Sequence, residues 1–162
     1  MKTHRNLKLG ILSLFFSFLG TLDAENKPSM RIELSELSTD GHLTATIVNA
    51  AGTDVSVWED TNSWGYGHWR IYVVRDGVIS VHYQDPDANF TRNIPAFRRL
   101  KPNETVRFKL DLNDGSWIGV ATTRNRFISR DRIIVSFDVP VSGEARKMNV
   151  WYGVAAAIID LE

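Results

Sequence analysis

The sequence predicts an all-β fold, an antiparallel two-sheet sandwich of about seven to eight strands, on three observations. Polar and apolar residues alternate with period two in segment after segment. β-Branched and aromatic side chains fill the apolar places, and turn residues punctuate the chain at roughly the spacing of a sandwich.

Ile32 and Leu34 alternate with Arg31, Glu33 and Ser35, which marks a strand near 30–37. Leu43, Ala45 and Ile47 do the same against Thr44 and Thr46, and a short segment follows at 55–58. The clearest alternation is Val106, Phe108 and Leu110 against Arg107, Lys109 and Asp111, then Ile133, Val135, Phe137 and Val139 against Ser136 and Asp138. A last strand is expected near 148–159. Residues 117–130 lack alternation and read as an excursion. Turns are expected at Thr39-Asp40-Gly41, Leu100-Lys101-Pro102-Asn103, Asn113-Asp114-Gly115 and Ser142-Gly143.

Between residues 68 and 84 the dipeptide Asp76-Gly77 supplies the positive φ angles of a two-residue type I′ hairpin. That turn pairs Arg75 with Val78, Val74 with Ile79, Tyr72 with Val81 and Arg70 with Tyr83. One face then gathers Tyr72, Val74, Ile79 and Val81 for the core. The other carries Trp69, Ile71 and Val73 beside Ser80, His82 and Gln84, a half-polar surface with His82 opposite Ile71.

Ahead of the strands, Lys2, Arg5 and Lys8 precede the uncharged run 9–22, the order of a secretory signal. As a helix that run reaches only about 21 Å, short of the roughly 30 Å hydrocarbon core. A signal cleaved after Ala24 is therefore expected, then a polar leader at 25–29 and a single domain at 30–162. Secretion or periplasmic export without lasting membrane insertion follows. The chain has no cysteine, which excludes disulfides and cysteine-linked lipid and tilts the reading toward a bacterial source. Removing Lys2, Arg5, Lys8 and Asp23 turns the balance of 19 basic and 19 acidic residues into a net charge of −2, which gives no pull toward nucleic acid.

The stretch Leu100-Lys101-Pro102-Asn103-Glu104-Thr105, the strand after it and the earlier Val48-Asn49 resemble the turn and strand of immunoglobulin-like bacterial domains, including the intracellular proteinase inhibitor of bacilli. Asn103 stands where those domains usually have glycine, and Asn is the next most tolerant residue of a left-handed backbone. The stretches Asn62-Ser63-Trp64-Gly65 and Thr91-Arg92-Asn93-Ile94-Pro95 are also similar to small secreted bacterial proteins of uncharacterised role. The resemblance implies an immunoglobulin-like sandwich and carries across no active site and no reactive-site residue.

The chemistry-bearing patterns are incomplete. Ser116 follows Gly115 directly, so no nucleophile elbow forms. His42, His68 and His82 lack zinc-site spacing. Asp85, Asp87 and Asn89 open like a calcium loop, but Phe90 and Ala96 occupy the places of its glycine and glutamate. Gly65-Tyr66-Gly67 is half of a phosphate-binding fingerprint and precedes a strand. Arg124, Arg126, Arg130 and Arg132, with Phe127 to stack, suggest either a polyanion clamp or a solvated face. Glu59 and Asp60, adjacent on an extended chain, point to opposite faces and do not flank one glycosidic bond. No metal, cofactor or catalytic residue is expected.

The segment from Trp58 to Trp69 is the most informative. Trp58, Trp64, Tyr66 and Trp69, interleaved with acids, amides and glycines, have the composition of a sugar-stacking or protein-contact surface. Alternatively, these rings plug one end of the sandwich. The expected function is a non-enzymatic binding or structural accessory domain whose partner is a protein or glycan. A carbohydrate-binding module using those four aromatics and an unrecognised secreted hydrolase are the alternatives.

Overall fold

The computed structural model describes residues 29–35, 37–38, 41–90, 94–113, 115–119 and 127–161. The expected signal and the leader up to residue 28 lie outside them, as do Thr91, Arg92, Asn93, Arg124 and Arg126.

The described residues form an all-β sandwich. Its strands in chain order are β1 (Met30–Ser35), β2 (His42–Asn49), β3 (Val55–Trp58), β4 (Trp69–Arg75), β5 (Val78–Gln84), β6 (Phe97–Leu100), β7 (Thr105–Asp111), β8 (Trp117–Gly119), β9 (Arg132–Val139) and β10 (Gly153–Asp160). Three antiparallel sheets result, ordered β1-β2-β7, β10-β9-β4-β5-β8 and β3-β6. The two larger sheets meet through aromatic rings. Trp69 of β4 sits 4.8 Å from Phe137 of β9 and 5.1 Å from Phe108 of β7, and Trp151 stacks on Phe137 within 14° of parallel. Rings of this size dominate the burial that offsets chain entropy.

Three elements differ from expectation. β6 and β8 bring the described strands to ten, and a short helix α1 (Gly143–Lys147) delays β10 to residue 153. Ser142 caps α1 by accepting from the Ala145 amide, and Asn149 then takes a left-handed φ of 52° before Trp151 donates to the Ser56 carbonyl.

The β4–β5 hairpin has the expected turn and register, with φ of 49° at Asp76 and 78° at Gly77. Its faces are the reverse of those expected. Trp69, Ile71 and Val73 enter the core together with His82 and Gln84, while Tyr72, Val74, Ile79 and Val81 point away from it. The core accepts these polar groups because they are provided for. Gln84 Oε1 accepts the Gly67 amide at 3.0 Å, and burial pushes the His82 pKa down, disfavouring its charged form.

Asn49, fully buried at the end of β2, ties three segments together. Its Nδ2 donates to the carbonyls of Thr53 (2.8 Å) and Leu100 (3.0 Å), and its Oδ1 accepts from Ala51. Just beyond this knot β6 and β7 part, β6 joining β3 and β7 joining β2. A cleft opens between them.

Candidate functional site

The cleft has a volume of about 350 Å3. Its floor is Val57 and Trp58 from β3 with Val106 and Phe108 from β7. Arg98 of β6 and Arg107 and Lys109 of β7 bring three cations to its rim, and Glu59, Asp60 and Thr61 form the wall after β3.

β3 ends at Trp58, so Glu59 and Asp60 do not share an extended strand. Both line the cleft. Burial pushes the Asp60 carboxyl above the ordinary carboxylate range, a backbone hydrogen bond opposes this, and the Glu59 charge adds to it. Asp60 is thus an acid held in an unfavourable place.

The Trp58–Trp69 segment leads from the end of β3 through a turn into β4. Asn62, 2% exposed, accepts the amides of Trp64 (3.0 Å) and Gly65 (3.2 Å) on its Oδ1 and that of Tyr66 (2.9 Å) on its carbonyl. Gly65 lies against the Glu59 carbonyl, where a Cβ would collide, so this position needs glycine. The Asn-Ser-Trp-Gly stretch therefore builds a turn. His68 Nε2–H donates to the Trp64 carbonyl at 2.6 Å, and burial holds the His68 pKa below the usual histidine range.

The four aromatics proposed as a ligand surface separate accordingly. Trp58 and Trp69 are core residues, 3% and 0% exposed. Trp64 is half-buried against the core, and Tyr66 is half-buried with its ring edge-on to Phe90 at 5.3 Å. They form no continuous platform. Only Trp58 reaches the cleft, as part of its floor.

Other singled-out residues have structural places. Asp85 Oδ1 accepts the Asp87 amide at 2.9 Å, an Asx turn after β5. Phe127 is 2% exposed and belongs to the core, so it is not free to stack on a ligand as expected. Arg132 pairs with Asp160 across β9 and β10, with Nε to Oδ1 at 2.6 Å.

The cleft itself was not foreseen. Its residues are far apart in sequence and converge only because β6 and β7 diverge. Glu59, Asp60 and Trp58 drew notice as chemistry, and Arg107 and Lys109 only as the polar phase of a strand.

No family model and no curated protein sequence matches the chain. Among solved structures, the GH3 β-glucosidase of Bifidobacterium adolescentis aligns over 82% of the chain at 15% identity and a TM-score of 0.29. The chain spans 17% of that enzyme's length, and a likeness this distant carries no argument.

Proposed function

We propose that this chain is an exported binding domain without catalytic chemistry, and that its cleft receives an extended segment of a partner protein. The observation that carries this reading is the outer edge of β7. Among the described residues β7 pairs with β2 alone, and residues 106–109 line the cleft in succession. An unpaired strand edge presents a row of N–H and C=O groups that an added strand satisfies.

The side chains define the segment that fits. Arg107 and Lys109 sit two residues apart on the exposed side of β7 and favour acidic residues at alternate positions of the incoming strand. The residue between those acids turns inward over Phe108 and Trp58, where an apolar side chain fits. Glu59 and Asp60 on the opposite wall discourage a uniformly acidic segment.

Selection from a random peptide display library on the exported protein tests this reading. Peptides with the acidic–apolar–acidic alternation are expected to be enriched, with binding lost in Arg107→Glu/Lys109→Glu. No enrichment, or binding indifferent to that double variant, would overturn it. A glycan array run in parallel examines the carbohydrate alternative, which here retains only the half-buried Trp64 and Tyr66.

A further inference from the structure

The cleft holds charges of both signs that are not paired with one another. Arg98, Arg107 and Lys109 stand exposed at its rim, and Glu59 and Asp60 stand in its wall. Among the described residues, none of these five side chains makes an ion pair or hydrogen bond with another side chain. Elsewhere Arg31, Arg75, Arg99 and Arg132 are each paired with a carboxylate. Asp60 is the least favourable member of the set. Burial and the Glu59 charge work against its ionised form, and a hydrogen bond from its own backbone is what favours it. A half-buried carboxylate left without a cation, in a cleft rimmed by cations, has the character of a functional group rather than a structural one.

We infer that the Glu59–Asp60 wall is a cation subsite: the bound segment carries, directly beside its acidic–apolar–acidic core, a lysine or arginine whose charged end lies against these two carboxylates. The inference rests on the cleft receiving an extended segment and adds the group that decides which segments are accepted. Strand geometry gives its position. On a strand laid along β7, residues two apart share a side and lie about 6.8 Å from one another. The apolar residue faces inward over Phe108 and Trp58, so the residues two before and two after it face inward as well. These are the positions just before the first acid and just after the second. β3 ends at Trp58 and the chain continues as Glu59, Asp60 and Thr61, which places the acids next to Trp58 along the cleft. One of the two inward positions therefore reaches them. A lysine or arginine there lays its methylene stem over the apolar floor and brings its charge to the carboxylates, whereas a third acid meets like charge.

Peptide display on the exported protein, followed by titration calorimetry of an enriched peptide with both ends blocked, tests it. The library is expected to yield a lysine or arginine directly next to the acidic–apolar–acidic core. Replacing that residue by norleucine, which keeps the stem and removes the charge, should weaken binding to the unaltered protein about tenfold. The same replacement should weaken binding to Glu59→Gln/Asp60→Asn less than about twofold, because the charge then has no partner to lose. Should the double variant fail to fold, Asp60→Asn alone serves in its place. Enrichment of the core without a basic neighbour, or an equal loss on both proteins, would overturn the inference and leave the acidic–apolar–acidic reading standing. Loss of binding on blocking the ends would overturn the side chain as the source of the cation in favour of a terminal amine. Enrichment of no peptide would overturn both readings together.

Discussion

The backbone amide of Asn103 donates to the carbonyl of Asn49 at 2.8 Å, and this bond joins the turn between β6 and β7 to the end of β2. The Asn49 amide donates in return to the Glu104 carbonyl at 3.1 Å, and Glu104 Oε2 accepts the Lys101 amide at 2.9 Å. The two asparagines hold the point at which one strand leaves for each sheet.

Asn49→Ala strands the carbonyls of Thr53 and Leu100 and the Ala51 amide without their partner. It should cost about 2–3 kcal/mol. Asn103, at φ 63°, tests a different term: Asn103→Gly should be neutral or slightly stabilising, whereas Asn103→Ala should cost about 1 kcal/mol. Urea midpoints of the three variants measure this.

Trp69 and Trp64 should differ in cost. Trp69→Ala opens a cavity between Phe108 and Phe137 and should cost about 3–5 kcal/mol, and Phe108→Ala and Phe137→Ala should fall in the same range. Trp64 keeps part of its ring in water, so Trp64→Ala should cost about 1–2 kcal/mol. Acrylamide quenching should lose its more accessible component in Trp64→Ala alone.

Asp60 should be a site where binding opposes stability. Its folded pKa lies above the unfolded value, so its contribution is present below the unfolded pKa and is lost as pH rises through the folded one. At pH 7 the charged form is therefore destabilising, and Asp60→Asn should raise stability by up to about 1 kcal/mol. Thermal melts at pH 7 and pH 4 should show a gain that shrinks in acid.

Acid should unfold the protein through groups of the opposite sign. Burial holds His68 and His82 below their ordinary pKa. Burial opposes ionisation of Asp131 most strongly, yet hydrogen bonds from Arg75 and the Ile128 amide, with the Arg75 charge, hold its carboxyl below the usual range. Each folded pKa lies below the unfolded value, so the stability is complete above the unfolded pKa and is lost as pH falls through the folded one. Denaturant midpoints should start to fall below about pH 6.5 from the histidines, and fall again below about pH 4 from Asp131. Asp131→Asn should remove the lower step and cost on the order of 2 kcal/mol at pH 7, less than a fully buried pair because Arg75 keeps contact with water.

The strands most legible in the sequence are those with one polar and one apolar phase. β7 and β9 have a single plausible inner face, and Asp76-Gly77 fixed the hairpin register on turn chemistry alone. The hairpin's orientation was illegible because both phases are apolar: Trp69, Ile71 and Val73 compete with Tyr72, Val74 and Val81. What decides is the fit of Trp69 to Phe108 and Phe137, which belong to other strands. β6 has no alternation in Phe97-Arg98-Arg99-Leu100 and exists through its pairing with β3. The cleft depends on the divergence of β6 and β7, a feature of sheet membership that no local pattern carries. Asp60 was visible as an acid, but its burial was not.

A hairpin with two acceptable faces also has a history during synthesis. β4 and β5 leave the ribosome long before β9, and β7 with its Phe108 follows them. Until those strands arrive, nothing in the nascent chain selects which side of the hairpin turns inward, and each side exposes apolar residues to whatever is near. In the folded chain the orientation is held by the docking of Trp69 on Phe108 and Phe137. The orientation of this hairpin is thus a property of the whole sandwich rather than of its own residues.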